Sequence, residues 1–116
     1  MHDIKSAFGG PPQHDPDRPY ASGSETWNQY LQRATSALRT ILDRHTGRHI
    51  LIVGHGETTE AAHTLLLDLP AEACLRLGFV TNHAGLTRWQ QYVNRFGRRV
   101  WMLATHNDTA HLAGVA

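Results

Sequence analysis

The chain has 116 residues, which is enough for one domain with a moderate core but short for a doubly wound sheet. Its composition, 41% hydrophobic and 18% charged with a net charge of +1, is typical of a soluble globular protein and indicates neither a nucleic acid nor a membrane surface as partner. The one cysteine, Cys74, excludes an internal disulfide framework and fits a reducing compartment. With no signal peptide or spanning segment apparent, we expect a cytoplasmic protein.

The beginning of the chain is rich in residues that break regular structure. Glycines and prolines cluster at positions 9–12, and further prolines follow at positions 16 and 19. This pattern predicts an irregular N-terminal segment over residues 1–21, either a tail or a loop that lies over a site.

The clearest helix is predicted over residues 22–44. Its apolar side chains recur at three- and four-residue steps and form one stripe, which comprises Trp27, Tyr30, Leu31, Ala34, Ala37, Leu38, Ile41 and Leu42. Ser22 and Glu25 have the spacing of a capping box, with Ser24 as an alternative cap. Gly47 is the expected stop.

A short apolar run at 50–53 predicts a fully buried strand of a parallel sheet. The turn Gly54-His55-Gly56 follows it, and residues 58–67 predict a second helix. Open α/β sheets bind ligands at the carboxyl ends of their strands, and the start of a helix presents N–H groups to an anion. His55 is therefore a candidate ligand-binding residue, although a histidine between two glycines is also a common turn residue.

The second half of the chain predicts a pair of strands. After Pro70 ends the second helix, residues 71–77 favour one or two further turns. Alternating side chains predict strands over 86–93 and 99–105, joined at 94–98 as an antiparallel hairpin.

The remaining polar positions have structural interpretations. In the tail 106–112, we expect Asn107 and Asp108 to satisfy backbone groups. His63 lies inside the predicted helix 58–67, where a packed or exposed helical residue is the simplest interpretation.

Four short motifs occur in order along the chain. They are residues 18–27 (RPYASGSETW), 50–56 (ILIVGHG), 82–87 (NHAGLT) and 106–112 (HNDTAHL). In this order they resemble the Gly-Glu-Ser helix opening, the second-histidine motif, the Asn-x-x-x-x-Thr motif and the Asn-Asp-x-x-His-Leu ending of the histidine phosphatase superfamily. The resemblance implies a partial three-layer α/β fold of the phosphoglycerate-mutase-like type, with residues 1–116 as a single partial domain.

The chain departs from this family at the motif on which activity depends. The family's N-terminal strand ends in Arg-His-Gly, whose histidine becomes phosphorylated, and neither that strand nor a further phosphate-binding arginine is recognisable here. His55-Gly56-Glu57-Thr58 mimics the motif, but Gly54 occupies the position of its arginine. We therefore expect the isolated chain to be inactive.

The resemblance implies roles for several residues. It gives His55 the role of a charged or hydrogen-bonding partner of the phosphoryl group, and Glu25 the role of proton donor and acceptor. Gly56 and Thr58 are expected to add backbone or hydroxyl donors to the phosphate. The sequence leaves open whether Glu25 is a capping carboxylate and nothing more.

Candidates for the remaining chemistry are weaker. Asn82 and His83, in the loop before the first predicted strand, are further candidates for the site, and no nucleophile is evident. The sequence has no His-Glu-x-x-His motif and no cysteine pair, so we expect no metal, and the implied chemistry requires no organic cofactor.

The implied chemistry is phosphomonoester hydrolysis or phosphoryl transfer through a phosphohistidine, with phosphate or a phosphomonoester as ligand. Two hypotheses follow. The chain is either a split or truncated phosphatase completed by an N-terminal half-domain, or a non-catalytic phosphate-binding or interaction module. Without the family's first strand, the run 50–53 has a bare edge, which predicts a homo-oligomer or such a partner.

Overall fold

The computed structural model describes residues 15–19, 21 and 23–114, and it shows a mixed α/β fold. Among these described residues, two α-helices precede a two-stranded antiparallel sheet. The elements are α1 (Trp27–Arg44), α2 (Gly56–Leu66), a 3₁₀ helix (Ala71–Leu75), β1 (Leu86–Val93), β2 (Arg99–Asp108) and a second 3₁₀ helix (Ala110–Leu112). Of the predicted order of helix, buried strand, helix and late strand pair, the two helices and the strand pair are confirmed.

The irregular segment predicted over residues 1–21 lies largely outside the described residues. Of that segment the structure describes 15–19 and 21, which form turns and bends. Within the described residues, none of the helices combines the length and apolarity needed to cross a bilayer.

Helix α1 starts later than the sequence predicts. Its N-cap is Thr26, whose hydroxyl accepts from the Gln29 backbone N–H at 3.0 Å, while the Gln29 side-chain oxygen accepts from the Thr26 N–H at 2.9 Å. The prediction of a cap at Ser24 is wrong, because the Ser24 hydroxyl instead donates to the Ala21 carbonyl in the preceding turn. The predicted cap Ser22 lies outside the described residues. Glu25 therefore precedes the helix, whereas the predicted end at Arg44 is confirmed.

The run 50–53 is not the buried strand that its sequence predicts. It forms neither helix nor strand, and Leu51 and Val53 are 84% and 89% exposed. A strand is defined by hydrogen bonds to a neighbouring strand, and in the described part of the chain the two strands that form pair with each other. The run is apolar, as a buried strand would be, but the described residues include no strand that pairs with it.

Helix α2 packs on α1 to form the small core. Leu31 and Leu38 of α1 are buried with Ala61 of α2. The partly buried residues around them are Trp27, Ala34, Ala62 and Leu65. α2 begins at Gly56, two residues before its predicted start, because His55 acts as its N-cap.

The predicted hairpin is confirmed. β1 has its predicted bounds, and β2 runs to Asp108, three residues beyond its predicted end, because Asp108 still pairs with Leu86. In the turn, the Asn94 side-chain oxygen accepts from the Phe96 and Arg98 N–H groups at 2.9 and 3.0 Å. The register shifts between Leu86 and Trp89, so β2 is bulged near its end.

Candidate functional site

The start of α2 presents His55 together with unpaired backbone donors. His55 is the N-cap residue, with extended backbone (φ −105°, ψ 177°) and an exposed side chain. Its N–H donates to the Thr58 hydroxyl oxygen at 3.2 Å, and its carbonyl accepts from the Thr58 N–H at 2.9 Å. The N–H groups of Gly56 and Glu57 precede the first intrahelical bonds and find no acceptor among the described residues. This geometry suits an anion.

Two glycines make this arrangement sterically possible. A Cβ atom on Gly54 would overlap the Thr58 hydroxyl that caps His55. A Cβ atom on Gly56 would lie 2.6 Å from the Thr81 hydroxyl oxygen. Thr81 therefore lies directly against the start of α2, and it forms one wall of the candidate site. The sequence analysis missed Thr81, because a threonine in a loop carries no pattern that links it to a helix 25 residues earlier.

The candidate residue Asn82 forms hydrogen bonds that hold its loop against β2. Its N–H donates to the Asn107 side-chain oxygen at 2.8 Å, and its own side-chain oxygen accepts from the Asn107 amide at 2.7 Å. The Asn107 N–H in turn donates to the Thr87 hydroxyl at 3.2 Å, and Asp108 accepts from the Ala110 N–H at 2.9 Å. The prediction that Asn107 and Asp108 satisfy backbone groups is thus confirmed.

His83 is exposed beside Asn82. Both residues and Thr81 line an open depression whose other wall is the end of the described chain, formed by Thr109, Ala110, Leu112 and Ala113. Because Thr81 also contacts Gly56, this depression adjoins the start of α2. The structure therefore brings His55, Gly56 and Thr58 together with Thr81 against Gly56, and it places Asn82 and His83 in the depression that Thr81 also lines.

Glu25 is held by an arginine. Arg33 Nε and Nη2 donate to the two Glu25 carboxylate oxygens at 2.8 and 2.9 Å, which is a bidentate pair. The hydrogen bond to Arg33 lowers the pKa of the Glu25 carboxyl. Because Glu25 lies before the N-cap Thr26, it is not the capping carboxylate that its spacing suggested. Among the described residues, no hydrogen bond or ion pair joins Glu25 to His55.

A buried histidine pair lies behind this site. His63 of α2 is fully buried, and its ring packs against Phe79 and Trp89 with centroids 4.4 and 5.6 Å apart. Its Nε2 lies 2.9 Å from Nδ1 of His106, whose own Nε2 lies 2.7 Å from the Val80 carbonyl oxygen. The packed alternative predicted for His63 is confirmed.

With one proton on each ring, the hydrogen-bond chain determines which nitrogen carries it. The Val80 carbonyl can only accept, so His106 donates from Nε2 and accepts at Nδ1. His63 must therefore donate from Nε2, which leaves its Nδ1 as a buried acceptor with no partner among the described residues. Burial, and then the neighbouring His106 ring, lower the pKa of His63 to about 4. This lowered pKa favours the neutral form of the His63 ring.

The other titratable groups near α2 do not supply a nucleophile or a metal site. Burial, and then Glu57, raise the pKa of Glu60. Burial, and then Glu60, raise the pKa of the Cys74 thiol, which disfavours the reactive thiolate. Among the described residues, no three His, Cys, Asp or Glu side chains are grouped so that they could hold a metal ion.

A model of the histidine phosphatase superfamily (branch 1) matches residues 3–109. No curated protein and no solved structure matches the chain. The matched residues contain the cap of α1, the start of α2, the loop at 81–83 and the whole hairpin.

Proposed function

The chain belongs to the histidine phosphatase superfamily, and we propose that it binds the phosphoryl group of a phosphate or phosphomonoester at the start of α2. The observation that carries this proposal is the position of His55. It is the N-cap of α2, with an exposed ring beside the N–H groups of Gly56 and Glu57. Backbone donors and a histidine at a helix start are what an oxyanion requires.

The neighbouring groups have complementary roles in this proposal. The Thr58 hydroxyl oxygen accepts from the His55 N–H, so its own O–H is available to donate to a phosphate oxygen. Thr81 closes one side of the site against Gly56. Asn82 supports the loop through Asn107 rather than contacting the ligand, and His83 faces the adjoining depression.

The reaction proposed for a completed domain is the family's phosphomonoester hydrolysis or phosphoryl transfer. An imidazole nitrogen forms a bond to phosphorus as the ester P–O bond breaks, and Glu25 gives a proton to the leaving oxygen. Water, or an acceptor hydroxyl in a transfer, then displaces the histidine from phosphorus and returns the proton. No Arg-His-Gly triplet occurs in the 116 residues, so we propose that the chain alone is inactive and that an N-terminal half-domain would bring the nucleophile. Residues 1–116 then form a single partial domain.

The second candidate function is a phosphate-binding module without catalysis. The specific observation in its favour is the pair between Glu25 and Arg33. A proton donor must be protonated when it acts, whereas the bidentate hydrogen bonds from Arg33 lower the pKa of this carboxyl and keep it ionised. Catalysis by Glu25 would require the pair to open.

Binding is tested first. Inorganic phosphate is titrated at constant pH while the His55 ring and the Gly56 and Glu57 amides are followed by NMR. We expect saturable shifts at these positions, lost in His55→Gln but kept in His45→Gln, a matched control at the exposed end of α1. If the His55 ring shows no shift up to tens of millimolar phosphate, the proposal is refuted. A site that weak would have a binding free energy of only about 2 to 3 kcal/mol.

Catalysis is tested separately. Hydrolysis of p-nitrophenyl phosphate is measured for the chain alone and with an added N-terminal segment that ends in Arg-His-Gly. Activity restored by the segment, and lost again in Glu25→Gln, supports the completed phosphatase. Phosphate binding without restored activity supports the binding module. Turnover by the chain alone, with a trapped phosphohistidine, contradicts the proposed inactivity.

A further inference from the structure

We infer that His63 and His106 are positioning residues, which hold residues 80–82 against the start of α2 and so set the shape of the phosphate site. This inference rests on the proposed function in one respect, namely that the start of α2 is where the ligand binds. Neither ring needs to touch the ligand, since both act through the loop that contains Thr81.

The first step is that one hydrogen-bond chain joins three separate parts of the molecule. His63 lies on α2, His106 lies near the end of β2, and Val80 lies in the connection before β1. The His63 Nε2 proton is donated to His106 Nδ1 over 2.9 Å, and the His106 Nε2 proton is donated to the Val80 carbonyl over 2.7 Å. The position of the Val80 carbonyl is thereby set relative to the α2 axis.

The second step is that the restrained peptide is next to the site. Thr81 follows Val80 directly, and its hydroxyl oxygen would lie 2.6 Å from a Cβ atom on Gly56. Asn82 then donates its N–H to the Asn107 side chain at 2.8 Å. The segment is therefore held on both sides of Thr81, by His106 before it and by Asn107 after it.

The third step is that the local backbone of β2 makes this double anchor possible. Successive residues of a regular strand point to opposite faces, and here the strand is bulged before Asp108. Asn107 has a φ of 55°, in the left-handed region that asparagine tolerates better than most residues. Adjacent residues of one strand thus reach two parts of the same loop, His106 toward Val80 and Asn107 toward Asn82.

The fourth step concerns what the histidine pair adds beyond packing. His63 Nδ1 is buried with no partner among the described residues, which is unfavourable compared with an apolar side chain of similar volume. Leucine at position 63 would fill the space against Phe79 and Trp89 and would carry no unpaired polar atom. Leucine at position 106 would not reproduce the hydrogen bond to the Val80 carbonyl, because it has no donor in the place of Nε2. This hydrogen bond is directional, so it sets the position of the carbonyl in a way that apolar packing does not.

The test compares His106→Leu, His106→Gln and the control His45→Leu, an exposed histidine at the end of α1. Two quantities are measured: the NOE between the Gly56 Hα and the Thr81 Hβ protons, and the affinity of the Gly56 and Glu57 amides for inorganic phosphate. We expect His106→Leu to lose the NOE and to bind phosphate about fivefold more weakly, the effect of one hydrogen bond. His106→Gln, whose amide can donate to the Val80 carbonyl, should recover most of both.

The variant His63→Leu separates positioning from folding. It removes the unpaired acceptor His63 Nδ1 but leaves His106 Nδ1 without its donor, so the thermal unfolding temperature should change little, while phosphate affinity falls because His106 is no longer held in place. A purely structural role for the pair would make stability and affinity change together.

The outcomes distinguish this inference from the proposed function. If His106→Leu keeps both the NOE and the wild-type phosphate affinity, the positioning role is overturned. If the wild type binds no phosphate, the proposed function fails, and the NOE still decides whether the pair holds the loop. A loss of the NOE that His106→Gln does not recover would overturn the directional role.

Discussion

Glu57 is the residue that most directly opposes an anion at the start of α2. Its carboxylate lies in the first turn of the helix and is exposed, where it stabilises the helix dipole and competes electrostatically with a bound phosphate. We predict that Glu57→Gln binds inorganic phosphate about twofold to fivefold more tightly, measured by NMR at the Gly56 amide. Glu72→Gln, an exposed carboxylate on the first 3₁₀ helix, is the control. Unchanged or weaker affinity in Glu57→Gln would place the phosphate elsewhere.

The state of Glu25 is controlled by one neighbour. Its pKa is lowered mainly by the hydrogen bonds from Arg33. In Arg33→Gln we therefore predict that the Glu25 carboxyl titrates at higher pH, close to an ordinary glutamate, as followed by the carboxyl carbon shift in NMR. Arg39→Gln, which removes an equally exposed arginine of α1, should leave this titration in place. A Glu25 titration that does not move in Arg33→Gln would show that the pair does not persist in solution.

At the level of secondary-structure elements, the start of α1 can be tested directly against the sequence pattern. Two candidate caps, Ser24 and Thr26, lie two residues apart, and the structure uses Thr26. We predict that Thr26→Ala lowers the free energy of unfolding by about 1 kcal/mol, through loss of the hydrogen bond to the Gln29 N–H. Ser24→Ala should change it by less than about 0.5 kcal/mol. Urea unfolding of both variants shows which residue caps the helix. If Ser24→Ala were the more destabilising variant, α1 would start at the earlier, predicted position.

Elements whose hydrogen bonds are local were predictable from the sequence. The hairpin was, because Asn94 and Gly97 mark its turn and both strands alternate around it. The end of α1 at Arg44 was also predictable from the sequence. The start of α1 was not, because Ser22 and Glu25 have the same spacing as the capping box that forms at Thr26 and Gln29.

Elements that depend on distant partners were not predictable. The run 50–53 has the composition of a buried strand, but composition does not specify which strand pairs with it. In the candidate site, His55 was recognised from the glycines on either side of it. The pair of His63 and His106, separated by 43 positions, carries no short-range pattern. One indication was available, since His63 is the histidine in the apolar run of α2.

At the scale of the whole molecule, His63 couples the stability of the fold to pH. Around its ring the described neighbours are Phe79, Trp89 and His106, and Glu60 lies one turn earlier on α2. The pKa of His63 falls from an ordinary 6.5 to about 4 on folding, so between these values the unfolded chain binds a proton that the folded chain excludes. The contribution of His63 to the free energy of unfolding therefore decreases as pH falls from about 6.5 to about 4, by up to about 1.4 kcal/mol per pH unit. The raised pKa of Glu60 acts in the opposite sense in the upper part of this window.

Urea unfolding at a series of pH values measures this dependence. We predict that His63→Leu flattens the curve in this window, because the residue that takes up the proton on unfolding is gone. His45→Leu, which removes an exposed histidine, should keep the wild-type slope. Equal slopes in the wild type and His63→Leu would show that His63 does not change its pKa on folding.

Residues 50–53 form an exposed apolar segment in the described part of the chain. Ile50 and Ile52 are 37% and 44% exposed, and the alternate residues Leu51 and Val53 are 84% and 89% exposed. Both faces of the run are thus apolar, as in a strand that is buried on both sides. Its backbone groups have no partners in the described part of the chain. Such a segment pairs readily with another strand, from a second copy or from an N-terminal half-domain.

We therefore predict a homo-oligomer at micromolar concentration in the absence of an N-terminal partner, with 50–53 at the interface. Leu51→Lys should shift the protein to a monomer in light scattering, because a charged side chain on a strand edge must be desolvated when another strand pairs with it. Leu75→Lys, at a 59% exposed position on the first 3₁₀ helix, adds the same charge elsewhere and should leave the assembly intact. Slow amide exchange at 50–53 is expected in the oligomer and should be lost in Leu51→Lys. A wild-type monomer with slow exchange at these amides would mean that the chain itself covers the backbone of residues 50–53. The prediction of a homo-oligomer would then be wrong.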